Sequence, residues 1–105
     1  MATIGTFKTS GDEFLGEIIT LQVQANNVRI VPEAARVSDS TPSHRVYVGR
    51  AEIGAAWMKS SSEGNSYLTV KLDDPSFNAP IFATLTADRE GGGHTLTWVR
   101  TPPRN

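Results

Sequence analysis

The sequence predicts an all-β domain: an antiparallel meander of about seven or eight short strands closing into a small barrel or a two-layer sandwich. Three observations carry this prediction. Apolar residues alternate with period two through most of the chain, turn chemistry returns about every 8–12 residues, and the Gly64-Asn65 turn is flanked by two alternating runs. The chain is organised around the stretch 53–80, IGAAWMKSSSEGNSYLTVKLDDPSFNAP, which reads as strand, polar turn, strand and a proline-stiffened loop.

Taken in order, residues 1–8 form a first strand carrying Ile4 and Phe7, and Thr9-Ser10-Gly11-Asp12 turns it. Residues 14–23 form the second strand, with Ile19, Leu21 and Val23 on the core face and Gly16, Thr20 and Gln22 opposite. Ala25-Asn26-Asn27 is turn chemistry, because Asn tolerates left-handed backbone. Val28–Val31 is a short strand that Pro32 stops, having no N–H to give a ladder. Residues 33–43 are read as a mobile loop. His44–Val48 resumes as a strand with Val46 and Val48 inward, and Gly49-Arg50-Ala51 leads into the central hairpin. Beyond it, Ile81–Ala87 and His94–Arg100 are strands joined by the polar, Gly-rich 88–93 turn, and 101–105 is a frayed tail.

Register within the hairpin decides which side of the sheet is wet. An even turn puts Trp57 on the face of Leu68, Val70 and Leu72, whereas an odd one puts it with Tyr67, Thr69 and Lys71. The even register gives one wholly apolar face, as a half-buried sheet requires. The expected core is therefore Ile4, Phe7, Ile19, Leu21, Val23, Ile30, Val46, Val48, Ile53, Ala55, Trp57, Leu68, Val70, Leu72, Ile81, Leu85, Leu96 and Trp98, with Met58 and Tyr67 outside.

Composition limits function. The 105 residues make one domain, 1–105, large enough for a single modest core. Its formal net charge of −1 provides no long-range field toward nucleic acid or an anionic membrane, though a local basic patch remains compatible. There is no cysteine, which excludes disulfides, thiolate metal sites and cysteine nucleophiles and fits a reducing cytoplasm. No leader or membrane-length apolar run is expected.

Met1–Phe7, Ile53-Gly54-Ala55-Ala56-Trp57, Tyr67–Phe77 (YLTVKLDDPSF) and Ala79-Pro80-Ile81 together resemble the bacterial domain-of-unknown-function family 736. The resemblance extends over nearly the whole chain, and the LDDPSF run is its most specific part. It implies a small single-domain protein of the bacterial cytoplasm, often encoded on plasmids and integrative conjugative elements, with no established activity. Members commonly carry Lys where this chain has Met58, which weakens any reading in which that strand tracks phosphates.

No catalytic residue, cofactor or metal is expected. His44 and His94, the only histidines, have neither metal-ligand nor triad spacing. Asp73-Asp74 precedes Pro75-Ser76, which is ordinary turn chemistry, and Gly91-Gly92-Gly93 lacks the following helix that a phosphate loop needs. Two binding readings remain, each set against a plain solvated face. The first is a protein partner, or a second copy, held by Met58, Tyr67 and a Phe77 stiffened by Pro75 and Pro80; its alternative is that Phe77 folds back to cap the core. The second is single-stranded nucleic acid stacked on Tyr47 and Tyr67 between Arg45, Arg50, Lys59 and Lys71.

Overall fold

In a computed structural model the described residues of the chain form eight antiparallel strands, each paired to the next, with the last paired to the first, so that the sheet closes as a barrel. The structure describes residues 2–21, 23–34, 38, 40–89 and 91–100. The strands are β1 (Ala2–Ser10), β2 (Glu13–Ile19), β3 (Gln24–Pro32), β4 (His44–Val48), β5 (Ala51–Ser60), β6 (Ser66–Leu72), β7 (Ile81–Ala87) and β8 (Gly93–Val99). Closure removes the free sheet edges that would otherwise template association. It also decides for the barrel over the sandwich. The tail 101–105 and parts of the 33–43 loop lie outside the described residues.

Inward side chains meet along the axis. Phe7, Ile18, Val28, Ile30, Val46, Val70, Leu72, Leu85 and Leu96 are the largest groups sealed from water, and Val48, Ile81 and Trp98 pack half-buried against them. Ile4, Val23, Ile53 and Leu68 also take their expected core places.

Four expected core positions are corrected. On β2 the inward set is Phe14, Gly16 and Ile18, not Ile19, because Gly16 pairs with Phe7 and leaves room for its ring: a Cβ there would lie 2.7 Å from Phe7 Cγ. Ile19 is 54% exposed and Leu21 fully so, since the strand ends at Ile19. Leu21 lies in a turn, where Val23 N–H donates to Thr20 Oγ1 at 2.9 Å. Ala25, Asn26 and Asn27 are not a turn but part of β3, where the pairing slips and Asn27 takes φ 59° as a bulge residue.

Ala55 and Trp57 are the other two. Gly54 pairs with Val46 and Glu52 with Tyr47, so Ile53 is an extra, bulged residue. Ile53 therefore points inward together with the set Gly54, Ala56 and Met58 that follows, and uninterrupted alternation fails at that point. At the hairpin tip Ser60 pairs with Ser66, which encloses an odd loop of residues 61–65. Ser61 N–H donates to Asn65 O and Gly64 N–H to Ser61 O within it. The odd loop places Trp57 opposite Thr69 and Lys59 opposite Tyr67, with all four on the outside.

Candidate nucleic-acid interface

The outer surface of β5, β6 and β7 gathers one patch. Trp57 and Lys59 come from β5, Tyr67, Thr69 and Lys71 from β6, and Phe82 and Thr84 from β7, where Lys71 pairs with Phe82 and Thr69 with Thr84. Trp57 and Tyr67 are diagonal neighbours across the hairpin, a relation that sets side chains about 7–8 Å apart. The indole is anchored, since Nε1 donates to Ser40 O at 3.0 Å from the segment that leads into β4. That segment is itself tied down by Ser43, whose N–H donates to Ala56 O at 2.9 Å and whose hydroxyl accepts from Met58 N–H at 2.9 Å. Both rings are half-buried, and among the described residues no carboxylate lies within ion-pair distance of Lys59 or Lys71. The patch can offer two aromatic faces flanked by two unpaired cations, which is what a sequence-tolerant single-strand site consists of.

The remaining predicted residues fall elsewhere. Arg45 and Tyr47 do share the outer surface on β4, but both are engaged. Arg45 Nε donates to Glu33 at 2.9 Å, and its guanidinium also reaches Glu52 at 3.5 Å. The Glu33 hydrogen bond holds the Arg45 pKa above its ordinary value, against the opposing effect of burial. The Arg29 guanidinium sits 5.6 Å from the centre of the Tyr47 ring and so occupies one of its faces. Arg50 is exposed in the β4–β5 turn, at the opposite end of β5 from Lys59 and so about 30 Å away along the strand. The pairing of Arg50 and Tyr47 with the Tyr67 platform is corrected accordingly.

The proposed apolar patch of Met58, Tyr67 and Phe77 is not assembled. Met58 faces inward at one mouth of the barrel and Tyr67 faces outward beside it, while Phe77 packs against the core in the loop after the other end of β6. Phe77 thus caps the core, the alternative the sequence left open. Trp57 was missed as a surface ring because its side depends on whether the turn holds an odd or an even number of residues, which Ser-rich turn chemistry does not specify. Phe82 carries a weaker signal, alternating with Ala83 in the run Ile81–Ala87.

Among the described residues no group of three or more His, Asp or Glu is gathered as a metal site, and no helix is long and apolar enough to cross a membrane. Fold and surface together define a small closed antiparallel barrel with an aromatic outer patch. The chain matches the model of a family described as "Protein of unknown function (DUF736)" over residues 3–101, and it belongs to that family. Neither the curated proteins nor the solved structures contain a significant match.

Proposed function

We propose that this protein is a non-enzymatic accessory protein of the bacterial cytoplasm, carried on mobile elements, that binds single-stranded nucleic acid across the outer surface of β5–β7. The observation that supports the reading is the shared outward side of Trp57 and Tyr67 between Lys59 and Lys71. Bases stack on aromatic rings whatever their sequence, each for about 1–3 kcal/mol, and phosphates follow the adjacent cations. With two lysines available the binding is modest. The logarithm of its association constant should fall with the logarithm of salt at a slope of about −1.4. A fluorescence titration of the intact chain with single-stranded oligothymidylate at several salt concentrations tests this. Tyr67→Ala should weaken binding about tenfold, and Lys71→Gln should make the salt slope shallower by about 0.7. Absence of binding at the lowest salt concentration sinks the reading.

A second reading, a protein partner or a second copy of the chain, is favoured by a different observation. Ile19 and Leu21 are exposed at the other end of the barrel, where Leu21 borders a depression of about 430 Å³ with Ile4, Ile81 and Trp98. Apolar groups clustered in this way mark interaction surfaces more often than solvated ones.

A further inference from the structure

The strand ends on either side of the β1–β2, β3–β4, β5–β6 and β7–β8 connections line a cavity of about 480 Å³ at one end of the barrel. Small eight-stranded barrels are either filled by their own side chains or left with room for one small molecule. Here the packed core stops at Leu68 and Leu85, which are 3% and 1% exposed. Above them Met58, although it faces inward, keeps 51% of its surface exposed. Phe14 stands between two imidazoles, its ring centre 6.0 Å from that of His44 and 4.9 Å, edge to face, from that of His94. Aromatic rings and a thioether make a surface suited to a flat apolar ligand.

The two histidines differ in their polar contacts. His44 Nδ1 shares a hydrogen bond of 2.9 Å with Ser43 Oγ. His94 Nδ1 is sealed from water and is the one buried side-chain polar atom with no partner among the described residues. An orphaned N–H is tolerated less well than an unshared lone pair. With the proton of a neutral ring on Nε2, the nitrogen at its tip, Nδ1 keeps an unshared lone pair and Nε2 is a donor. The charged residues that line the mouth are Asp12 and Glu13, with no Lys or Arg among the described lining residues. Two like charges at the rim disfavour an anion.

We infer that this mouth binds a small uncharged aromatic molecule bearing an acceptor atom on its edge, with the ring against Phe14 and Met58 and the acceptor on His94 Nε2. This site does not depend on the outer-surface reading, and its test uses no nucleic acid.

The chain has two methionines, Met1 and Met58, so methyl labelling of the intact protein gives at most two signals, and the one that Met58→Trp removes reports on the mouth. Benzamide, benzoate and toluene share one ring and differ in a single substituent. Benzamide should shift the Met58 methyl saturably with a dissociation constant of about 1 mM or tighter. Benzoate and toluene should bind about tenfold more weakly or worse, the first repelled and the second lacking the hydrogen bond. His94→Phe, which keeps a ring in place, should reduce benzamide to the level of toluene. Met58→Trp alters an exposed side chain and should close the mouth, so that benzamide no longer moves the histidine ring protons. The inference is overturned by toluene or benzoate binding as well as benzamide, by benzamide binding that either variant leaves intact, or by no saturable shift up to about 10 mM.

Discussion

Thr69 lies directly opposite Trp57 on the outside of the β5–β6 hairpin, donates from Oγ1 to the Trp57 carbonyl at 3.4 Å, and is only 7% exposed. A threonine on a solvent-side position is buried to that degree only under larger neighbours, and the indole is the largest group beside it. Trp57 is thus a surface ring that shields a strip of sheet and is tethered by its bond to Ser40. Under the proposed nucleic-acid reading, that arrangement would let a base stack at little ordering cost.

The energetic consequence separates Trp57 from the core. Trp57→Ala removes one hydrogen bond and part of an apolar contact, and should cost about 1–2 kcal/mol. Leu72→Ala empties a fully buried site and should cost about 2–5 kcal/mol. Urea denaturation of the two variants should rank them in that order. A Trp57 loss as large as that of Leu72 would mean that the indole is a core group after all.

Close approach of strands makes a second prediction. A Cβ on Gly54 would collide with the Lys71 carbonyl and lie 3.0 Å from Leu72 Cα, both backbone atoms of β6. Gly54→Ala must therefore push the hairpin apart and should cost about 1–3 kcal/mol. Gly64, at φ 86°, has open space around its would-be Cβ, so Gly64→Ala meets only backbone strain, about 1–2 kcal/mol. Gly54→Ala should also disturb amide shifts along β6, where Gly64→Ala should disturb only the 61–65 turn. Equal and purely local effects would contradict the pairing of Gly54 with Leu72.

Asp74 supplies a pH-dependent test. Its carboxylate accepts hydrogen bonds from Ser76 Oγ at 2.6 Å and Ser76 N–H at 3.0 Å, which lower its pKa below the ordinary 3.8, the side-chain bond more than the backbone one. A depressed folded-state pKa stabilises the fold above the unfolded value, and that contribution is lost as pH falls through the folded value. The effect is therefore present at neutral pH and disappears only in acid below 3.8. Carbon-detected titration should give Asp74 a midpoint below that value, and Ser76→Ala should move the midpoint upward. An unmoved midpoint would remove the Ser76 hydroxyl as its cause.

The strand content and the barrel-compatible meander were legible because they rest on local signals: alternation, Asn and Gly turns, and Pro32 at a strand end. What was not legible rests on single-residue counting. A bulge at Ile53 and an odd turn over 61–65 each invert one strand face, and together they carried Trp57 from the expected core to the surface. On β2, Gly16 looks like a solvent-side residue until Phe7 is seen lying across it. The candidate site suffered in the same way. Tyr67 and Lys71 were identifiable as outward residues, but Trp57, their best aromatic companion, was assigned inward, and the same register left Lys59 on the side of Trp57. The Glu33 and Glu52 partners that occupy Arg45 come from outside its strand, and no local pattern announces them.

Ile19 and Leu21 allow the partner reading to be tested without touching the outer patch. Both are exposed, at 54% and 101%, so a charge at Leu21 removes no packing from the folded monomer. Leu21→Glu should leave the denaturation midpoint within the equivalent of about 0.5 kcal/mol. If this end of the barrel joins two copies, sedimentation of the wild-type chain should show association that rises with concentration, and Leu21→Glu should abolish it. Nucleic-acid affinity should be unchanged in the variant, because Trp57 and Tyr67 lie on strands remote in sequence from the β2–β3 turn. A wild-type chain that sediments as a monomer throughout removes self-association. Loss of oligonucleotide binding on Leu21→Glu would instead relocate the binding surface to this end.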